Sequence, residues 1–245
     1  MSKLTDRIRR ASKVEPAPLG FAAAAARAPS PTLLVVVRLG EADAGKIADA
    51  ASKGADVVIL EGSAEKLRNA KATGDAIIGL KLDNPTRAEA AAAREAGADF
   101  LLIEEDTAAE TLLDEKLGFV IAASRDLEDT RLRLLGDLVL DAILITAPEP
   151  PLTVGRVMDL RRVAGLAHAP LLVEAAVDID ASALQIMRES GAAGIVLPAS
   201  AISKLAALKE RITTLPVRGK RKEEHSEAII PAQTHGHDDD DDDDD

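Results

Sequence analysis

The feature that most constrains the fold is an alternation of strand and helix patterns that occurs eight times along the chain. Each cycle contains a short apolar run rich in β-branched residues, a polar loop and a helical pattern of Ala, Leu and charged residues. The apolar runs cover residues 32–39, 56–62, 76–82, 99–105, 118–124, 140–146, 170–176 and 194–200. This alternation indicates parallel strands joined by crossover helices. Eight units predict a closed (βα)8 TIM barrel, with an open doubly wound α/β sheet as the alternative.

The residues within and before these runs support the same prediction. The runs are continuously apolar, as expected for parallel strands that are covered on both faces. Gly54, Gly97 and Gly191 follow three of the helical patterns, where a residue with positive φ commonly ends a helix. The segment 40–46, GEADAGK, has the spacing of a nucleotide-binding P-loop, but Ile47 stands where Ser or Thr would bind magnesium. We therefore interpret it as the start of the helix after strand one.

The chain is expected to contain one barrel domain between two extensions. Residues 1–31 include the segment TDRIRRASKV, which predicts a short helix capping the bottom of the barrel before the following prolines end it. The barrel occupies residues 32–214. Residues 215–245 lack a periodic apolar face, which predicts a disordered tail with an acidic end. Eight of the net −12 charges belong to residues 238–245, so the rest of the chain carries −4.

The composition argues against several classes of protein. The chain contains no Cys, which excludes disulfides, iron–sulfur clusters and thiol catalysis. Its barrel is mildly acidic, and Trp and Tyr are absent, whereas proteins that bind nucleic acid use basic surfaces and aromatic stacking. The first ten residues are polar, and no apolar run approaches the length of a membrane span. We expect a cytoplasmic protein without a nucleic-acid or membrane partner.

Polar residues lie at the carboxyl ends of the predicted strands, where TIM-barrel enzymes hold their active sites. In strand order they are Arg38, Glu61, Lys81 with Asp83, Glu104 with Glu105 and Asp106, Ser124, Thr146, Glu174 and Ser200. Unpaired charge in an apolar run is costly. Five strands place ionisable groups at the same end of the predicted barrel, and this grouping favours a functional site there. For each residue two alternatives to a functional role stay open: a side chain that points outward to a loop, or an ion pair that is purely structural.

The missing residue types narrow the chemistry that this end of the barrel can perform. His168 precedes strand seven and lies at the opposite end, and the other histidines lie beyond residue 224. Lys and Glu are therefore the residues that can act as general acid or general base at this end of the barrel. Lys81 can act as acid, base or Schiff-base nucleophile, and Arg38 matches the geometry of carboxylate and phosphate groups. The predicted catalytic residues are Lys81, Glu61, Glu104 and Glu174. The predicted substrate-binding residues are Arg38, Asp83, Ser124 and Ser200.

The last third of the chain, residues 171–205, resembles the closing units of phosphate-binding barrels of the ribulose-phosphate type. Examples are indole-glycerol-phosphate synthase, thiamine-phosphate synthase and orotidine-phosphate decarboxylase. Gly191, Ala192, Gly194 and Ser200 keep the spacing of a helix that ends in Gly-Ala and a strand that runs into a short helix. The resemblance implies a phosphate held by the loop after strand seven and by that short helix. The loop here reads AAVD and lacks the glycines usual in those families.

Three functional hypotheses follow from these residues and from the resemblance. The first is a lyase, aldolase or isomerase that acts without a cofactor on a small anionic metabolite, phosphorylated or not. The second is a non-catalytic barrel that serves as a binding or assembly module. The third is a metal-dependent enzyme in which Glu61, Glu104 and Glu174 bind magnesium or manganese through oxygen ligands. A homo-oligomer is compatible with each of them.

Overall fold

Eight parallel strands close into a single barrel. The computed structural model describes residues 2–12, 32–41, 43–70, 75–146 and 151–216. Each strand pairs with the next one along the chain, and the last pairs with the first. The strands are β1 (Leu34–Leu39), β2 (Val57–Glu61), β3 (Ile77–Lys81), β4 (Phe100–Ile103), β5 (Gly118–Ala122), β6 (Ala142–Ile145), β7 (Leu171–Glu174) and β8 (Ala192–Pro198). The predicted closed (βα)8 barrel is confirmed over the open sheet.

Helices surround the barrel and connect its strands. The α-helices are α1 (Lys3–Ser12), α2 (Ala44–Ser52), α3 (Ala64–Ala70), α4 (Arg87–Glu95), α5 (Asp129–Gly136), α6 (Val154–Ala167), α7 (Ala181–Glu189) and α8 (Leu205–Thr213). Two 3-10 helices are η1 (Ala109–Leu113) and η2 (Ala199–Lys204). Strand β8 begins and ends two residues earlier than the sequence predicts, so the last predicted strand residues belong to η2. In the part of the chain that is described, no helix combines the length and apolarity needed to cross a membrane.

The helix limits follow from local signals that the sequence already carries. Gly54, Gly97 and Gly191 have φ of 104°, 104° and 108°, as predicted for residues that end helices. Helix α2 begins after Asp43, whose carboxylate accepts the N–H groups of Gly45 and Lys46 at 2.8 and 3.2 Å. The segment 40–46 is thus the start of a helix, as interpreted from the sequence.

The barrel interior is a separate apolar cluster inside the ring of strands. Because side chains alternate between the two faces of a strand, every second residue points inward. The buried inward-facing residues are Leu34, Val36, Val57, Ile59, Ile77, Phe100, Leu102, Val120, Ala142, Leu144, Leu172 and Val196. A second, larger cluster lies between the strands and the outer helices. This alternation of inward-facing and outward-facing residues decides which residues at the ends of the strands face the barrel mouth.

Helix α1 closes the amino-terminal end of the barrel, as its sequence predicts. Leu4 and Ile8 are buried in the interior cluster. Asp99 accepts the N–H groups of Lys3 and Leu4, both at 2.9 Å, and Asp56 accepts from the Arg7 guanidinium at 2.9 Å. Asp141, the matching residue before β6, accepts from the Ser2 hydroxyl at 2.7 Å. The rest of the predicted amino-terminal extension, residues 13–31, and residues 217–245 of the predicted tail lie outside the described residues.

The fourth crossover differs from the predicted repeat. Between β4 and β5 the chain forms η1 and no α-helix. The Thr107 hydroxyl accepts the N–H of Glu104 at 3.0 Å, which turns the chain directly after β4. The buried Thr111 hydroxyl donates to the carbonyl oxygen of Pro85, which holds η1 against the preceding crossover. These two contacts leave a gap on the outside of the barrel where the other crossovers place an α-helix.

Candidate functional site

Five ionisable side chains from five strands point into the carboxyl-terminal mouth of the barrel. Each lies two positions after an inward-facing residue, such as Val36 before Arg38 or Leu172 before Glu174. The alternation of side chains along a strand therefore directs all five inward. We call them the mouth cluster: Arg38, Glu61, Lys81, Glu104 and Glu174. They include all four predicted catalytic residues and the predicted anion-binding arginine.

Arg38 connects two glutamates across the mouth. Its Nε and Nη2 lie 2.8 and 2.7 Å from Oε1 of Glu61 on the neighbouring strand. Its Nη1 lies 3.1 Å from Oε1 of Glu174 on β7, beyond β8. Each nitrogen of the guanidinium therefore contacts a carboxylate, and Glu61 supplies the shorter contacts. All three side chains are about one-third exposed, so solvent reaches this part of the mouth.

Lys81 forms the second ion pair of the mouth cluster. Its Nζ lies 2.6 Å from Oε1 of Glu104 on the adjacent strand β4. The Lys81 side chain is 25% exposed and that of Glu104 is 49% exposed. A short contact between an ammonium and a carboxylate is a charge-assisted hydrogen bond, along which a proton can pass. The arrangement can supply a general acid, a general base or, after loss of a proton to Glu104, an amine nucleophile.

The other predicted site residues lie outside this hydrogen-bonded cluster. Asp83 is exposed beyond the end of β3, and Ser200 is exposed in η2. The Ser124 hydroxyl accepts the N–H of Asp126 at 3.2 Å, which stabilises the loop after β5. Glu105 faces the outside of the barrel and pairs with Arg131 of α5 at 2.6 Å. The structure thus brings the predicted catalytic residues together with Arg38, while Asp83, Ser124 and Ser200 make no contact with them.

Sequence reasoning did not find an ion pair that joins the two elements implied to hold phosphate. The short helix after β8 is present as η2, and Lys204 at its end donates from Nζ to Oδ1 of Asp178 at 2.7 Å. Asp178 lies in the loop after β7. The hydrogen bond and charge of Lys204 hold the pKa of Asp178 below its usual range, so this carboxylate stays ionised at neutral pH. The ammonium at the end of η2 is therefore already paired with a carboxylate in the region where the resemblance implies a phosphate.

The carboxylates proposed as metal ligands face cations of the protein. Glu61 and Glu174 contact Arg38, and Glu104 contacts Lys81. Among the residues for which positions are described, no three His, Asp or Glu side chains are grouped so that they could hold a metal ion. The inward direction of these glutamates was predictable from strand parity, whereas their partners depend on the tertiary arrangement.

The barrel as a whole resembles solved structures, although the sequence matches no protein-family model and no curated protein. A mutant tryptophan synthase α-subunit from Pyrococcus furiosus shares 14% identity, with 75% of this chain and 96% of that chain covered and a TM-score of 0.56. The tryptophan synthase α2β2 complex from Pyrococcus furiosus contains a chain with 15% identity, coverage of 74% and 97% and a TM-score of 0.58. A protein from Aquifex aeolicus VF5 shares 15% identity, with coverage of 74% and 92% and a TM-score of 0.57. At these identities the likeness concerns the fold alone, that of a closed (βα)8 barrel.

Proposed function

We propose that the chain is an enzyme of the lyase, aldolase or isomerase type that acts on a small anionic metabolite in the barrel mouth. The observation that carries this proposal is the contact of 2.6 Å between the Lys81 ammonium and the Glu104 carboxylate, within a solvent-accessible mouth that also holds Arg38. Enzymes with this fold place their reactive groups at this end of the barrel. The fold by itself supports many chemistries, so the proposal depends on these side chains.

In the proposed reaction Lys81 and Glu104 act as one proton-transfer pair. Glu104 accepts a proton from the Lys81 ammonium, which leaves a lone pair on Nζ. That amine removes a proton next to a substrate carbonyl or adds to the carbonyl carbon, and in the second case water leaves as the Schiff base forms. In the first case Glu104 then returns its proton to the enolate. In the second case Glu104 protonates the Schiff-base nitrogen, and water hydrolyses the product iminium; either route restores the Lys81 ammonium and the Glu104 carboxylate.

Arg38 is the proposed binding group for the anion. Glu61 contacts two of its nitrogens and holds the guanidinium in place, whereas Glu174 contacts only Nη1, at 3.1 Å. A substrate anion that replaces Glu174 keeps Nη1 paired, and the partly exposed Glu174 turns toward solvent. We favour a carboxylate over a phosphate as that anion, because Lys204 at the end of η2, in the region that holds phosphate in the barrels that this chain resembles, is already paired with Asp178.

Thermal unfolding with a panel of small carboxylates and sugar phosphates tests ligand binding. Far-UV circular dichroism is the suitable signal because the chain contains no Trp or Tyr. A bound ligand stabilises the folded state and raises Tm. We expect small carboxylates to raise Tm of the wild type and to have no effect on Lys81→Met. The matched control is Lys53→Met, which removes an ion pair of 2.9 Å with Asp49 on the outer surface and should keep the response.

Borohydride trapping tests the proposed nucleophile directly. The protein is incubated with small α-keto acids and aldehydes, reduced and digested, and the modified lysines are identified by mass spectrometry. We expect one equivalent of adduct on Lys81 in the wild type and in Lys53→Met, and its loss in Lys81→Met. Adducts distributed over the lysines according to their exposure, with no preference for Lys81, would contradict a Schiff-base role.

One observation favours the second candidate, a non-catalytic barrel. Both cations of the mouth cluster are already bound by glutamates of the same cluster, as expected for a self-contained structural network. If this is the role, no member of the panel raises Tm of the wild type. Lys81→Met then loses at most about 1 kcal/mol of unfolding free energy, the usual contribution of a partly exposed ion pair.

A further inference from the structure

The gap at the fourth crossover leaves an open groove along the outside of the barrel. The groove lies between η1 and α5 and has a volume of about 750 Å³. Apolar side chains of both strands and both helices line it, among them Ile103, Leu112, Ile121 and Leu135. In the other crossovers an α-helix covers this part of the strands. The groove therefore has the apolar lining against which a helix packs.

Large apolar side chains are exposed beside this groove. Leu134 in α5 is 59% exposed, Leu113 in η1 is 58% exposed, and Val139 after α5 is 93% exposed. Leu134 lies in α5 and Leu138 lies two residues beyond its end, and both line the groove. Helix α5 and the residues that follow it thus place leucines along the groove. Contiguous apolar surface of this kind marks an interaction site.

Charged residues on the same stripe of α5 show what kind of helix fits. Arg131 and Asp137 both line the groove, and they lie three residues before and three residues after Leu134. Arg131 pairs through Nη2 with Glu105 of its own chain at 2.6 Å. If a second α5 packs antiparallel to the first about a two-fold axis at Leu134, each Arg131 also faces Asp137 of the second copy, and Leu134 packs against its own counterpart. A two-fold interface requires this self-complementary order of charges.

We infer that two copies of this chain associate through the groove, with α5 of each copy packed against α5 of the other. The surface involved is the stripe Thr130, Arg131, Leu134, Asp137 and Leu138, together with η1. The contact covers apolar side chains that are otherwise in water, and it completes the helical layer that the fourth crossover leaves open. Glu104 of the mouth cluster also lines the groove, but the inference does not depend on the proposed reaction, because it concerns the packing of α5 and η1.

Segments of the same chain are less suitable occupants. Ser12 and Thr32, the described residues that flank positions 13–31, both line a small cavity at the amino-terminal end of the barrel, on the opposite side from β4 and β5. The end of the tail, residues 238–245, is entirely Asp. Glu104, Glu105 and Glu128 on the groove repel such a segment.

The oligomeric state of the full chain in solution tests the inference. Light scattering after gel filtration at about 100 µM, where mass action favours association, should give twice the 25.6 kDa of one chain. Leu134→Glu, which places two like charges on the axis, should give a monomer with an unchanged far-UV dichroism spectrum. The control Met158→Glu changes an exposed apolar residue of α6 outside the groove and should remain dimeric.

A charge exchange tests the antiparallel arrangement itself. Arg131→Asp places two acidic groups opposite each other and should raise the dimer Kd at least about tenfold. The double variant Arg131→Asp/Asp137→Arg restores opposite charges across the axis and should return Kd to within about threefold of the wild type. Leu134→Cys introduces a single cysteine into a chain that has none, and oxidation should join two copies through a disulfide.

Four results would overturn the inference. The first is a wild type that is monomeric at this concentration, and the second is a dimer that Leu134→Glu leaves intact. The third is a double variant whose dimer Kd is no lower than that of Arg131→Asp alone. The fourth is a monomeric wild type that dimerises only when residues 217–245 are removed. The last result would assign the groove to the tail of the same chain.

Discussion

Substitution of Gly79 by alanine would place a methyl group inside the space that the Phe100 ring occupies. Gly79 on β3 lies opposite Phe100 on β4 in the sheet register. A methyl carbon at Gly79 would lie 2.1, 2.4 and 2.7 Å from the Cζ, Cε2 and Cε1 atoms of the ring. Carbon atoms in contact are normally separated by about 3.5–4.0 Å. The ring is fully buried in the barrel interior, so it cannot turn out into solvent.

The expected loss of stability follows from the displacement that this clash requires. The ring must move by about 1–1.5 Å to restore a normal carbon–carbon distance, against neighbours that are packed as closely as a crystal. Overpacking of this kind costs about 1–3 kcal/mol, and the fully enclosed ring places Gly79→Ala at about 2–3 kcal/mol. For a domain of this size each kcal/mol lowers Tm by about 2–4 °C, so Tm should fall by about 5–10 °C.

Urea unfolding followed by far-UV circular dichroism measures this loss, and a second substitution identifies its cause. Phe100→Leu removes the ring atoms that the new methyl group would meet, so Gly79→Ala should cost less than about 1 kcal/mol in that background. The control Gly165→Ala adds a methyl group on α6 where no atom lies within 4 Å, and it should stabilise the helix by about 0.5–1 kcal/mol. An equal cost of Gly79→Ala in both backgrounds would refute the reasoning.

Three further substitutions test other parts of the molecule by urea unfolding. Asp99→Ala removes the acceptor of the first N–H groups of α1 and should cost about 1–2 kcal/mol; a loss below about 0.3 kcal/mol would contradict the capping role. Asp114→Asn should destabilise the protein at neutral pH. Burial acts to raise the Asp114 pKa, but the hydrogen bond from Arg94 contributes to a net lowering of that pKa below the ordinary 3.8. This stabilisation is complete above pH 3.8 and is lost as the pH falls through the lowered pKa, so a difference that persists in stronger acid would contradict it. Arg38→Met leaves two glutamates facing each other and should cost about 1 kcal/mol, whereas unchanged stability would mean that the network contributes nothing.

The pattern of apolar runs and the glycines that end the helices were sufficient to predict the barrel from the sequence. The first seven apolar runs contain the strands observed, the eighth is displaced from β8 by two residues, and the glycines at 54, 97 and 191 have the positive φ that ends a helix. These features are local, since they depend on the side chains of a few consecutive residues. The three aspartates that bind α1 were missed. Asp56, Asp99 and Asp141 occupy equivalent positions before β2, β4 and β6, and this repeat was the available signal.

The fourth crossover could not be predicted from local pattern. Residues 107–117 contain Ala, Leu and charged residues as the helical segments do. Two contacts set the observed conformation: a local turn in which Thr107 accepts the N–H of Glu104, and a tertiary hydrogen bond from Thr111 to Pro85, which is 26 residues earlier in the chain. Contacts between distant residues override a weak local preference for helix. The groove on which the inferred dimer depends is therefore a property of the fold and not of its sequence pattern.

The members of the mouth cluster were predictable, but their pairing was not. Strand ends locate Arg38, Lys81 and the three glutamates, and the alternation of side chains turns them inward. Whether Lys81 faces Glu61, its partner in the strand register, or Glu104 depends on side-chain geometry, and the structure pairs it with Glu104. This pairing separates the cluster into one arginine with two glutamates and one lysine with one glutamate.

That separation bears on which ligands the mouth can select. A monoanionic carboxylate that takes the place of Glu174 at Nη1 of Arg38 replaces one planar oxygen acceptor by another, so the charge around the guanidinium is unchanged. A phosphate dianion brings a second negative charge beside Glu61, which stays bound to the same arginine at 2.7 Å. Because like charges at such distances repel strongly in a partly enclosed site, the arrangement discriminates against dianions. We therefore expect the proposed site to bind carboxylates more tightly than phosphates.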